Sequence, residues 1–327
     1  MMKKIFSILL VTIFINQNSF ATTLSEALLQ AYINNPELNA ERENIEISKE
    51  DVNISRSEFL PSITLSGSKS EERTEKLTDR AGTKASITDV NPKTRSINIE
   101  QKLFQGFAGV ASMEKSKIGL NLADAKLLQK EQEILYKAIE SYSGLIFANE
   151  KLKINQINVN LLDRQVETDQ ARLERGQITL VDLAQSEASL AGAQAKFIQS
   201  KNEITTNKLN YENVIGIISN PDSLEKSYNI NFILPDNLKI AIEISKKNNP
   251  DLIIAELEYQ QSEKDVLIAK SDLAPSAKLS FENSRSNDFS STYDERDKST
   301  LTATVSWPIY SGGKNRASFN KNKNLKN

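Results

Sequence analysis

The 327-residue sequence contains no cysteine and no histidine. The first absence excludes disulfides, thiolate zinc sites, thiol nucleophiles and a lipid-bearing N-terminal cysteine. The second removes the commonest general base and metal ligand. Catalysis would have to rest on carboxylates, serine or lysine alone, and no cofactor or metal site is expected. The net charge is only −2, with no basic block near the middle of the chain, which argues against nucleic acid as a partner. Glycine (11) and proline (8) are few and cluster at a few points, which favours long uninterrupted elements. Past the N-terminal region no run reaches about 18 consecutive apolar residues, so membrane insertion would have to use β-strands. The composition, 39% apolar and 26% charged, also suits a soluble protein.

Residues 1–21 have the order of an export signal: Lys3 and Lys4, the apolar run Ile5 to Ile15, then a polar stretch ending Ser19-Phe20-Ala21. Cleavage is expected after Ala21. The run is too short to cross a bilayer as a helix; the alternative is a buried N-terminal helix.

The chain repeats itself. "LSEALLQAYINNPEL" (24–38) matches "LKIAIEISKKNNPDL" (238–252), and the match continues at an offset of 214 from Ser48, Asp51 and Val52 to Pro61, Leu65 and Ser66. Beyond a loop that is eight residues shorter in the second copy, "KLFQGFAG" (102–109) lies opposite "WPIYSGGK" (307–314). A first repeat is expected over 22–217 (helix, hairpin 62–105, long helix, returning helix), then a connector over 218–237 and a second repeat over 238–327 with its hairpin at 276–310. After Gly106 roughly 110 residues of helical pattern follow, but only 15 follow Gly312. The second copy is therefore expected to be cut short, leaving any assembly built from such repeats incomplete.

Apolar residues fall seven apart in paired series. Leu38, Ile45, Val52 and Phe59 run beside Ala40, Ile47 and Ile54. Leu145, Leu152, Val159, Val166 and Leu173 run beside Phe147, Ile154 and Leu161, and Leu183, Leu190, Phe197, Ile204 and Tyr211 beside Val181, Ala188, Ala195 and Leu209. Two residues are about 200° apart on a helix, so each helix has two adhesive edges, as in a curved wall or cylinder. An ordinary multi-helix bundle is the alternative. The stretch Gly109 to Arg175, as one helix, would be about 100 Å long. Gly176 interrupts it, and Thr179 with Asp182 three residues on forms a capping-box start for a returning helix.

Pro61 and Pro275 are expected to end helices. After them the pattern changes to period two: Ile63, Leu65, Ile97 and Ile99 in the first hairpin, and Leu279, Phe281, Leu301, Val305 and Trp307 in the second, alternate with polar residues. These positions are expected to face lipid, with Trp307 at an interface. Strands of a soluble sandwich alternate as well. Loops are expected at 69–94 and 283–298, and strand-to-helix turns at Gly106 and Gly312. Open strand edges are not tolerated in lipid, so a membrane reading requires several chains to share one barrel.

The shared core "NNPEL…FLPSITLSGS" and "NNPDL…LAPSAKLSFE", the turns "LFQGF" and "IYSGG", and "ERGQITLVDLAQSEASLAGAQ" at the helical turn together resemble the TolC family of outer-membrane efflux proteins. The resemblance covers nearly everything after the signal. It implies a mainly α fold with a membrane β-barrel portion: long antiparallel helices form a periplasmic tunnel, and two hairpins per chain give four strands to a twelve-stranded barrel in a homotrimer. It also implies a passive, non-enzymatic duct in outer-membrane lipid. Its partners would be a periplasmic adaptor and an inner-membrane transporter, serving drug efflux or type I secretion. Asp182 matches the family's gate acid in the first copy, and the family's narrowest acidic ring, at the equivalent turn of the second copy, has no counterpart here. The rival readings are a soluble periplasmic helical scaffold and a non-functional remnant. An enzyme is a poorer rival: "YSGGKN" looks like a P-loop end, but Pro308 stands where its first glycine is needed.

Overall fold

The computed structural model describes residues 23–78, 85–218, 220–226, 234–290 and 293–327. The expected export signal lies outside them, as do part of the connector and the tips of both hairpins. The chain divides into two compact units, one from the described residues up to 39 with those of 130–234, the other from 40–129 with 235–327. Helix dominates, and two elements cross the division: α2 (Pro36–Ser57) and the 67-residue α3 (Ala108–Glu174).

The first unit is helical. α1 (Leu24–Asn34) opens on a capping box, in which Thr23 Oγ1 accepts from the Glu26 amide and Glu26 Oε2 from the Thr23 amide. Its Leu24, Ala27 and Ala31 recur at helical spacing and are buried. Pro36 disfavours helix at the residue before it, so the chain breaks at Asn35. There Asn35 Oδ1 accepts from the amides of Glu37 and Leu38, while its Nδ2 donates to the Val214 carbonyl at 3.1 Å, at the end of α4 (Leu180–Val214). A stripe on α3 (Ile134, Ala138, Tyr142, Leu145) is buried, as are Leu183, Ala193 and Tyr211 of α4, which α3 meets at Tyr142. The rings of Tyr142 and Tyr211 lie 6.5 Å apart, and burial pushes the Tyr211 phenol up to about 12. Each such large apolar side chain stabilises the pair by about 1.5–3 kcal/mol. Segment 220–226 is held on α3: Tyr142 Oη donates to the Glu225 carbonyl, Asn149 and Lys153 reach Asp222, and Lys226 pairs with Glu150.

The second unit carries the strands. β1 (Ser62–Lys69), β4 (Lys93–Gln105), β5 (Ser276–Asn287) and β6 (Glu295–Ser306) form one antiparallel sheet in the order β1-β4-β5-β6. The two hairpins are thus joined by β4–β5 pairing between residues some 180 apart in sequence. β2 (Glu72–Thr78) and β3 (Ala85–Val90) pair as a separate two-stranded ribbon. The loops expected at 69–94 and 283–298 are therefore largely strand. Their charged sequences conceal this, because ladder bonds join backbone groups and polar cross-strand pairs such as Asn283 Nδ2 to Ser299 Oγ (2.8 Å) reinforce them.

α5 (Leu238–Asn248) and α6 (Pro250–Ser271) repeat the first break, with Asn249 capping in place of Asn35. α7 (Lys314–Lys326) lies on α6, where Lys326 pairs with Glu263 at 2.7 Å. Lys115–Asp265 (2.6 Å) and Lys264–Glu114 (2.7 Å) tie α6 to the start of α3. Pro61 and Pro275 do not end the helices directly. α2 stops at Ser57 and α6 at Ser271, and i to i+3 bonds tighten the chain through the residues that follow (Leu60 amide to Ser57 carbonyl, Ala274 amide to Ser271 carbonyl). Each proline then stands immediately before a strand. At the return from strand to helix, Gly106 takes φ +58° under α6, where an added Cβ would lie 2.7 Å from Ala274 Cβ and 2.8 Å from the Ser271 carbonyl oxygen. Gly312 takes φ +64° with nothing within 4 Å.

Candidate functional site

Strand pairing decides which side chains share a face. The register sets Ile63 opposite Ile99, Ile99 opposite Phe281 and Phe281 opposite Leu301, a single apolar row across all four strands. In the next row Leu65 faces Ile97, while Asn283 and Ser299 make the β5 and β6 half of that row polar. Toward the helices Leu279 faces Ala303, and Val305 faces Ala277. Rows repeat about every 6.7 Å along a strand, so these four make a band about 20 Å tall, comparable with the apolar belt of an outer-membrane barrel. The band is uncovered, with Leu65 81% and Val305 75% exposed. Trp307 stands one residue past β6 and donates its indole N–H to the Leu273 carbonyl at 3.1 Å. The other face is polar: Ser62, Glu100, Ser280 and Thr302 form one row, and Lys278 pairs with Glu100 at 2.8 Å.

Alternation alone misplaces one residue. A bulge between Lys102 and Phe104 sets Phe104 opposite Ala277, on the apolar face, where an unbroken period would put Leu103. Phe104 meets Phe107 edge to face at 5.2 Å. Nothing in the sequence marks this except the aromatic pair flanking Gln105-Gly106.

The helical turn is built from caps. α3 closes through the Gly176 amide to the Leu173 carbonyl and the Gln177 amide to the Arg172 carbonyl, with Gly176 at φ +69°. Thr179 is the N-cap of α4. Its Oγ1 accepts from the Asp182 amide, and Asp182 Oδ2 accepts from both the Thr179 amide and hydroxyl at 2.8 Å. These bonds hold the Asp182 carboxyl below its usual range. Asp182 itself is exposed, with one oxygen engaged in its own turn. Within hydrogen-bonding reach of the same helix pair is a residue that period alone does not pick out. Asp169 on α3 is buried, and its Oδ2 accepts from Ser186 Oγ of α4 (2.6 Å) and from Gln165 Nε2 (2.8 Å). Those two donors, Gln165 first, hold its carboxyl below the usual range.

Of the paired apolar series, one line is mostly covered, Phe59 being an exposed exception, and the other is not. Leu145, Leu183 and Tyr211 are buried, and Leu152, Val159 and Phe197 half-buried. Phe147 (70%), Ile154, Leu161, Val181 and Leu209 are exposed, as are Ile47 and Ile54 on α2. Among the described residues no helix is long and apolar enough to cross a membrane, and no group of carboxylates is placed to hold a metal ion.

A family model described as "Outer membrane efflux protein" matches residues 27–216 and 241–324. The chain is 26% identical over 314 residues to the outer membrane efflux protein BepC of Brucella suis biovar 1, and 21% identical over 309 residues to the alkaline protease secretion protein AprF of Pseudomonas aeruginosa. These alignments take in 95% and 93% of this chain but 66% and 64% of those proteins, so the chain spans slightly less than two thirds of the length of these relatives. Among solved structures, the CmeC outer membrane channel of Campylobacter jejuni superposes with a TM-score of 0.77 at 16% identity, covering 93% of this chain and 65% of that one. VceC of Vibrio cholerae superposes with a TM-score of 0.71, also at 16% identity, covering 93% and 72%.

Proposed function

We propose that this chain, which belongs to the outer membrane efflux protein family, contributes one third of a passive exit duct in the outer membrane. The family is one of transport proteins rather than enzymes. The observation that carries the reading is the four-stranded sheet, apolar and uncovered on one face and polar on the other, with β1 and β6 unpaired at its edges among the described residues. In lipid such edges must be closed. Three copies, each supplying four strands, close a barrel whose apolar band meets lipid and whose polar face lines the pore. The same count gives the exposed helix lines a partner, since Phe147, Ile154 and Leu161 of one copy would be covered by a neighbour in a tunnel wall.

The domain reading follows from this: a first repeat over 22–217, a connector over 218–237 and a second repeat from 238, each joining a membrane hairpin to periplasmic helices. The turn at 176–181 would face a periplasmic adaptor and, through it, an inner-membrane transporter. The cargo class would be drugs or secreted proteins, in keeping with the efflux and protease-secretion names of the relatives. At the turn Asp182 keeps one oxygen for a basic or hydroxyl partner on a neighbouring chain, as a gate needs. Asp182→Ala would then raise single-channel conductance, whereas Thr179→Ala, which removes the cap and its hydroxyl bond to Asp182 but leaves the carboxylate, would not.

The chain has no cysteine, so single cysteines can test the sheet. In cells, Thr64→Cys should react with a water-soluble maleimide and Leu65→Cys should not, with the protein in the outer-membrane fraction and cross-linked as a trimer. Equal labelling of both, with the protein in the soluble fraction, would support the periplasmic scaffold instead.

A further inference from the structure

On the side away from the helices the apolar face of the sheet ends in two rows of cations. Arg95 lies directly opposite Arg285 across β4–β5, and Lys69 directly opposite Lys93 across β1–β4. Strand alternation puts all four on the face of Ile63, Ile97, Phe281 and Leu301. Arg95 is two residues beyond Ile97, about 6.7 Å along the strand, and Lys93 is one row farther. Like charges directly opposite on neighbouring strands repel and destabilise the pair. Here two such pairs adjoin.

Their surroundings compensate the repulsion at Arg285, which lies directly opposite Asp297, and not at the other three cations. Gly67 lies beside Arg95 on β1, and an added Cβ there would meet nothing within 4 Å, so the patch has a gap at its β1 edge. The carboxylates in the same rows, Glu295 and Asp297, are both on the edge strand β6. Glu295 pairs with Arg285 at 3.2 Å, with both side chains more than half exposed. Among the described residues Lys69, Lys93 and Arg95 pair with no acid.

We propose that this patch binds the phosphate of a lipid headgroup, a phosphomonoester lipid of the leaflet that meets the hairpin ends of the sheet. The proposal rests on the apolar face meeting lipid. The occupant follows from position and charge. A headgroup lies where the acyl chains end, and the patch begins one row beyond Leu65 and Ile97 on β1 and β4 and two rows beyond Phe281 on β5. A dianionic phosphate supplies the counter-charge that Lys69, Lys93 and Arg95 lack, and its oxygens suit the paired N–H donors of Arg95 and Arg285. The gap at Gly67 leaves room for it between Arg95 and Lys69.

The test reconstitutes the purified full chain in phosphatidylcholine vesicles containing a minority of phosphatidic acid, and measures by mass spectrometry the lipid retained after mild detergent extraction. Phosphatidic acid should be enriched over its share of the vesicle, and millimolar inorganic phosphate should not displace it. Arg95→Gln with Arg285→Gln should lower retention by roughly fivefold per cation removed. Lys102→Gln with Lys278→Gln, which removes the same charge from the opposite face, should leave it unchanged. Equal losses in the two pairs, or no enrichment at all, would overturn the proposal. If the double arginine variant misfolds, Arg95→Lys and Arg95→Gln decide: retention by the lysine variant alone supports the patch, and equal retention sinks it. The sequence has a single tryptophan, Trp307, beside the band, so quenching by brominated acyl chains separates the two readings. Without quenching, the lipid-facing sheet fails and the patch with it. Quenching without enrichment removes the headgroup alone.

Discussion

Gly106→Ala and Gly312→Ala make the same chemical change at matching turns of the two copies, and the structure predicts unequal costs. Both glycines have positive φ, +58° and +64°, where a Cβ costs about 1–2 kcal/mol, partly offset by about 0.4–1 kcal/mol of lost unfolded-state freedom. At Gly312 nothing else opposes the methyl group, so the net cost is about 1 kcal/mol or less. At Gly106 the new Cβ would sit 2.7 Å from Ala274 Cβ, 2.8 Å from the Ser271 carbonyl oxygen and 3.1 Å from Ser271 Cα. Two of these are backbone atoms that cannot swing aside, and overpacking of this kind adds about 1–3 kcal/mol. Urea unfolding of the detergent-solubilised chain, followed by Trp307 fluorescence, reads the difference. The indole bonds to Leu273, the residue before Ala274, so the probe stands at the strained point. Gly106→Ala should shift the midpoint well below that of Gly312→Ala, and adding Ala274→Gly should recover part of the loss, since it removes one of the three close contacts. If the two single variants agree within about 0.5 kcal/mol, the close approach of α6 to Gly106 is not what selects glycine there.

Three further outcomes follow from the helices. Thr179→Ala removes the N-cap of α4 and should cost about 1 kcal/mol, seen as faster amide exchange confined to the first turn of α4; Thr179→Ser should restore most of the protection. The Asp169 carboxyl is held below its ordinary value of 3.8 in the fold, so its contribution to stability is present above that value and lost as pH falls through the lower folded one. In thermal melts below about pH 4 the wild type should therefore lose stability more steeply than Asp169→Asn, and parallel curves would count against the bonds from Gln165 and Ser186. Ile154→Lys, on the exposed apolar line of α3, should leave the helical circular dichroism of the chain unchanged and abolish the trimer in cross-linking; a trimer that persists would mean that this line is not where copies meet.

Seven-residue spacing, period-two alternation and the doubled "NNP" core are local properties. They are readable because a helix or strand imposes its geometry on residues a few positions apart, whatever lies elsewhere in the chain. That is why the rod beyond Gly106, the cap at Thr179 and the apolar positions from Ile63 to Val305 can be inferred from the sequence. Relations between distant segments are not encoded that way. That β4 pairs with β5, putting Ile99 beside Phe281, is decided by backbone bonds between the two copies, and the bulge that turns Phe104 onto the apolar face is decided by that same ladder. The ribbon of β2 and β3 escapes notice because hydropathy does not register backbone pairing among charged residues. The two apolar lines of α3 look equivalent in sequence, and only tertiary packing buries Leu145 and leaves Phe147 exposed. Asp169 reads as one more polar residue of a long helix. It becomes a buried acceptor only because α4 returns at the angle that brings Ser186 within 2.6 Å, and neither the residue nor its spacing carries that angle.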